Sequence, residues 1–184
     1  MWYRRVTVEP MDTTRIAFLA VAFATHAVVG YALVRGATDA DPRLGVVLGL
    51  LPDADFLFPA AWEWPLVHRG LTHTPLFAVA VVAGAYALRR DRTVAIAVGL
   101  GIGSHLAIDS LSAKGIDWLF PLADTAGLGV SVHGPAATAV LWAASLGVLA
   151  WRTEDPLVAS VLSDRSADRS DRSDPSDRQT KRRE

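Results

Sequence analysis

Three short runs collect the residue types that bind divalent cations: Pro52-Asp53-Ala54-Asp55, His68-Arg69-Gly70-Leu71-Thr72-His73 and His105-Leu106-Ala107-Ile108-Asp109. The 184 residues include no cysteine, which excludes thiolate zinc sites and a cysteine nucleophile and leaves imidazole and carboxylate as the strong metal ligands. His105 and Asp109 are four apart and share one face of a helix, so a metal can be held by both, or the carboxylate can orient the imidazole. A plain hydrogen-bonded helix pair is the alternative. Asp53 and Asp55 follow Pro52, which stops a helix, and in an extended turn both carboxylates point the same way. Two like charges that close require a cation or a shared proton, although an Asx turn or helix cap accounts for the pair equally well. His68 and His73 are five apart, and Gly70 permits a bend that brings both rings to one point. Between them, Arg69 can neutralise a developing oxyanion or grip a phosphate, where the plainer role is that of a snorkelling interfacial arginine.

Other polar residues carry weaker signals. His26 stands alone in an apolar stretch, where a histidine is commonly a satisfied packing residue. His133 sits in a Gly-Pro loop with no partner nearby in sequence and reads as a plain loop residue. Thr72 is expected to hydrogen-bond behind a ligand or cap a helix. Glu63 and Asp117 could act as bases, but surface solvation explains both.

The elements that must position these residues are hydrophobic. Apolar residues make up 51% of the chain, and mean hydropathy is +0.28, more than a soluble domain of this length needs. The net charge of −1 gives no basic surface, so no nucleic-acid partner is predicted. Ile16 to Val34 would rise about 28 Å as a helix, enough to cross the hydrocarbon core. Its basic flank (Arg4, Arg5, Arg15) also suits a signal peptide, but the stretch is long for one and no small-residue cleavage site follows it, which favours an anchor. Leu44 to Leu51 is too short to span and reads as re-entrant or interfacial, with Trp62 and Trp64 as an interfacial belt. Leu71 to Leu88 and Val94 to Leu111 form a predicted antiparallel hairpin around the turn Arg89-Arg90-Asp91-Arg92-Thr93, and Ala136 to Trp151 supplies a fourth span, started by Pro135.

The expected fold is therefore an all-α integral membrane bundle of about four transmembrane helices with a re-entrant segment. Residues 1–15 are its cytoplasmic flank, 16–151 the membrane-embedded domain, and 152–184, rich in Ser-Asp-Arg repeats, a disordered charged tail. If the 44–58 segment does not cross, Arg4, Arg5, Arg15, the hairpin turn and Arg152 share one side, which the positive-inside rule makes cytoplasmic. Both termini are then cytoplasmic and the motifs face outward. In that topology His26 and His105 lie about 12 and 9 Å from the outer ends of their spans, so segments from different parts of the chain can converge at one depth. Ionisable residues within a span are costly and are read as functional.

Over about residues 20 to 122 the chain resembles the YdjM-like family of LexA-regulated, inner-membrane-associated metal-dependent hydrolases. The resemblance rests on Thr25-His26, Leu51-Pro52-Asp53-Ala54-Asp55, His68 to His73, and His105-Leu106-Ala107-Ile108-Asp109-Ser110-Leu111 leading to Gly115 and Trp118-Leu119-Phe120-Pro121. It implies a membrane-bound metal-dependent hydrolase, distantly like zinc phospholipase C and P1-type nucleases, and hence phosphoester substrates. Where the family pattern carries Thr-Pro, this chain has Ser112-Ala113-Lys114, which puts the conformation of that loop in question. LexA regulation belongs to some relatives and is not carried over. The expected metal ligands are Asp53, Asp55, His68, His73, His105 and Asp109, with His26, around one or two divalent ions. Zinc comes first, then manganese or iron. Asp55 would be the general base and Arg69 would stabilise negative charge. With membrane lipids around an outward-facing site, a lipid or small phosphoester is the expected substrate. The alternatives are a metal-binding transporter or sensor using the same ligands, and a scaffold without catalysis. The nearly apolar inner halves of the helices speak against a transport path.

Overall fold

A computed structural model of the protein describes residues 12–59, 62–123 and 125–153; the flank expected up to residue 11 and the tail expected from residue 154 lie outside the described residues. The described chain is helical: α1 (Thr13–Ala37), α2 (Arg43–Leu50), α3 (Pro75–Arg89), α4 (Arg92–Leu111) and α5 (Pro135–Thr153), with 3-10 turns at Pro52–Leu57 and Leu71–His73. No strand forms among the described residues, where a lone bridge joins Leu119 and Ala123.

Local chemistry sets most boundaries. Asp12 caps α1 through Thr14 N. Thr74 caps α3 through Phe77 N, and Pro75 occupies the first turn, so α3 begins four residues later than hydropathy suggests. The α3–α4 turn closes with Arg90 in the left-handed region (φ 52°) and Asp91 accepting from Thr93 N and Val94 N. The predicted start at Pro135 holds for α5.

The bundle encloses a polar cluster and exposes apolar faces. Thr25, His26, Ser104, His105 and Asp109 are buried on α1 and α4, whereas α3 buries none of its 15 residues and exposes Leu76, Val79 and Leu88. Val140, Leu146 and Trp151 on α5 are exposed as well. Apolar faces of this extent without protein cover fit lipid as the surrounding medium. A smaller apolar core of Leu48, Val98, Ile102, Leu106 and Ile116 packs around α4. By length and composition α1 and α4 qualify as membrane spans. The other two expected spans fall short: α3 has 15 residues, a rise of about 22 Å, and α5 is diluted by Thr138, Ser145 and Arg152.

The direction of α1 corrects the expected topology. Phe18 meets His133, Thr25 meets Trp142, Gly36 meets Val148, and the Arg35 carbonyl meets Arg152. Sequence order rises along both helices, so α1 and α5 run parallel. The cause is α2, which returns antiparallel to α1, Gly45 against Gly30 and Gly49 against His26. Cβ atoms at Gly30 and Gly45 would lie 2.3 and 2.1 Å from the opposite carbonyl oxygen, so only glycine admits this approach. Arg15 consequently lies at the end of the bundle opposite Arg152. The expected depth of His26, counted from Val34, was measured from the wrong end of its helix.

Candidate metal centre

Each motif reaches the same end of the bundle from a different element. α2 ends, α3 begins, α4 ends and α5 begins there, while α1 passes through with His26 facing inward. His105 lies one and a half turns before the end of α4. Its Nδ1 is 2.7 Å from the Gly49 carbonyl, which only accepts, so Nδ1 carries the hydrogen and Nε2 presents a lone pair. His73 ends the Leu71–His73 turn, fully buried, with Nδ1 3.1 Å from Asp55 Oδ2. That carboxylate also only accepts, and it fixes the same tautomer. The two Nε2 atoms face each other at 3.1 Å. Two lone pairs at that distance repel unless a shared proton or a metal ion joins them.

Two carboxylates flank this pair. Asp53 Oδ1 is 3.5 Å from His73 Nε2 and 3.7 Å from His105 Nε2. Asp109 Oδ2 is 3.6 Å from each. Ligands about 2.0–2.1 Å from a tetrahedral zinc ion lie roughly 3.3–3.4 Å from one another, and these separations bracket that value. The donors therefore fit a divalent cation. Groupings among the described residues that could hold one include His73 with His105 and Asp109; His26 with Asp53 and His105; Asp53 with His68 and His73; and His26 with Asp109 and His133.

Asp55 has a different place from the one expected. It is 3% exposed and takes no part in those groupings. Its Oδ2 accepts from Thr72 Oγ1 and the Arg69 N–H, both at 3.0 Å, and faces His73 Nδ1, while Oδ1 meets His68 Nδ1 at 3.0 Å. Burial raises its pKa, but the hydrogen bonds from His68 and His73 outweigh this and hold the carboxyl well below the ordinary range. It organises the loop from His68 to His73 and faces the back of the His73 ring. The expected extended turn at Asp53 and Asp55 is a 3-10 helix, which sends one carboxylate to each nitrogen of His73.

His68 and His73 meet through Asp55, with ring centroids 5.3 Å apart. The bend between them is made by Arg69, which has φ 64°. Gly70 is needed for space, since a Cβ there would lie 2.1 Å from the Pro65 carbonyl oxygen. The Arg69 guanidinium donates to Ser112 Oγ and to the Gly115 carbonyl. Its Nε lies 3.1 Å from Asp109 Oδ2, an ion pair off the hydrogen-bond direction. Ser112 Oγ donates to the Asp109 carbonyl, and Lys114 Nζ donates to the His68 carbonyl, so the loop that departs from Thr-Pro is tied to the motif it follows. Burial, then the neighbouring Arg69, lowers the pKa of Lys114.

His26 stacks on His105 with centroids 3.8 Å apart, and its Nε2 is 3.5 Å from Asp109 Oδ1. His133, expected to be a plain loop residue, reaches the same oxygen at 3.4 Å. Its position just before Pro135, level with the C-terminal end of α4, was the available signal. Thr72 supports Asp55 as expected. Glu63 and Asp117 are in none of the groupings. A cavity of about 50 Å³ opens at the cluster between Phe18, Phe23, Phe56, Arg69, Asp109 and His133. One of about 250 Å³ lies beside it, against His68, Asp55, Phe58 and Trp62.

The model of the YdjM inner membrane protein family matches residues 21–163, and the chain belongs to that family of membrane proteins. No curated protein matches it, and no solved structure does.

Proposed function

From this membership and this cluster, we propose that the protein is a membrane-bound metal-dependent hydrolase of phosphoesters. The observation that carries the metal reading is the pair of Nε2 lone pairs of His73 and His105, 3.1 Å apart and flanked by Asp53 and Asp109. These four residues would hold the ion, with zinc favoured by the mixed nitrogen and oxygen donors and manganese or iron after it. Such an ion supplies Lewis acidity and lowers the pKa of water. Asp55 and the Gly49 carbonyl keep the two imidazoles in the ligating tautomer. Because both oxygens of Asp55 already receive donors, Asp55 is better assigned to orienting His73 than to accepting a proton. Arg69 fixes Asp109 and offers positive charge to an anionic substrate at the same cavity.

Orientation is part of the proposal. Arg35, Arg43, Arg89, Arg90, Arg92 and Arg152 belong to the helix ends remote from the cluster, and the positive-inside rule supports a cytoplasmic location for them. The cluster would then open toward the outer leaflet, where a lipid phosphoester can reach it beside Phe18, Phe23 and Phe56. A transport path is disfavoured because the side chains buried beyond the cluster include Ala32, Val34, Ala97, Val98 and Ile102. The test is turnover of a panel of phospholipids and phosphomonoesters by metal-replete protein in detergent. Hydrolysis abolished in His73→Ala supports the reading, and no turnover across the panel overturns it.

A further inference from the structure

We infer that the cluster binds a second divalent cation, held by His26, His133 and Oδ1 of Asp109, so that Asp109 bridges two ions through its two oxygens. The inference rests on the metal reading above and extends it to a residue in the loop before α5. Asp109 divides its environment: Oδ2 faces His73, His105 and Arg69, and Oδ1 faces His26 and His133. The Oδ1 distances of 3.5 and 3.4 Å exceed those of ordinary hydrogen bonds, yet they suit two ligands of one ion at about 2.0–2.1 Å from each.

An ion bound between Oδ1 and the two Nε2 atoms would satisfy nitrogens whose contacts to Asp109 exceed ordinary hydrogen-bond length, in two rings that are both enclosed. They meet edge to face, with centroids 5.4 Å apart, and both line the small cavity at Asp109. Three separate segments, α1, α4 and the loop before α5, supply the donors, and a bound ion would tie them together.

Charge points to the substrate class. With the three carboxylates, Arg69 and Lys114 counted together, one divalent ion leaves a single positive charge and a second leaves three, a field that favours a phosphoryl dianion, as in two-metal phosphoryl chemistry.

The test is metal counting on the full chain, purified in detergent from metal-replete cells, with manganese loading followed by electron paramagnetic resonance. The expected result is two ions per chain in the native protein and one in His133→Ala, with the exchange-coupled manganese signal replaced by that of an isolated ion. His26→Gln should give the same loss and guards against misfolding of one variant. One ion per chain in the native protein, unaffected by His133→Ala, overturns the second site and leaves the first standing. Two ions that persist in both variants overturn it as well. No bound ion would sink the metal reading itself.

Discussion

Replacing Asp55 by asparagine separates an orienting carboxylate from a metal ligand. The substitution preserves shape, so an amide oxygen in the place of Oδ2 can still accept from Thr72 Oγ1, the Arg69 N–H and His73 Nδ1. The amide NH2 then meets His68 Nδ1, which accepts in its other tautomer. What is lost is the negative charge behind the His73 ring. Hydrogen bonds to a charged partner contribute about 1.5–3 kcal/mol against about 1 for neutral pairs, so His73 loses roughly 0.5–2 kcal/mol of support. That corresponds to about 2- to 30-fold in an equilibrium constant, overlapping the range of about 10- to 100-fold for loss of a partner behind a ligating histidine. We expect Asp55→Asn to retain its ions with affinity weakened by roughly an order of magnitude, read by competition with a chromophoric zinc chelator. Asp53→Asn, which alters a group facing both Nε2 atoms, should be much more severe. Loss of the ion in Asp55→Asn to the extent seen in Asp53→Asn would make Asp55 a ligand and refute the assignment. An unchanged affinity would show that the contact between Asp55 and His73 transmits nothing to the site.

Other outcomes follow from the packing and from the charges. Gly45→Ala would drive a Cβ to 2.1 Å from the Gly30 oxygen, whereas Gly84→Ala meets nothing within 4 Å; the first should lower the unfolding temperature in detergent sharply and the second should leave it near the native value. Because the folded-state pKa of Asp55 lies below its ordinary value of 3.8, the stability it contributes is complete above that value and drains away as pH falls through it. Asp55→Asn should therefore flatten the acid limb of a pH–stability curve measured on metal-free protein. With no native cysteine, Asp91→Cys and Asp117→Cys report the two ends of the bundle. In intact cells an impermeant maleimide should label Asp117→Cys, and Asp91→Cys only after permeabilisation. The reverse pattern would refute the outward-facing site.

The sequence made the helices and most of the cluster legible because both signals are local. Pro52 and Pro135 mark boundaries by their own stereochemistry, and the i, i+4 spacing of His105 and Asp109 survives any arrangement of neighbours, whereas Thr74-Pro75 sets the start of α3 against a hydropathy pattern that begins at Leu71. The division of labour between Asp53 and Asp55 was not legible, since a 3-10 helix and an extended turn differ by a few dihedral angles and send the two carboxylates to different nitrogens of His73. His133 was hidden for another reason. Its partner Asp109 lies 24 residues away, and only the fold joins them.

The direction of α1 shows how one short element can invert such a reading. Counting arginines assigns sides only after the crossings are counted, and an eight-residue helix contributes none by length. α2 nevertheless returns the chain from the far end of α1, because glycines at 30, 45 and 49 let the two backbones touch and the return need not cover the full hydrocarbon thickness. The same close approach positions the site. Gly49 offers its carbonyl to His105 Nδ1 because α2 ends against His26 and α4, and Pro52 then turns Asp53 toward the two Nε2 atoms. A Cβ at Gly49 would meet the His26 carbonyl oxygen at 2.8 Å and push away the segment that fixes the His105 tautomer. The glycines of α2 thus act on the chemistry through His105 as well as on the packing.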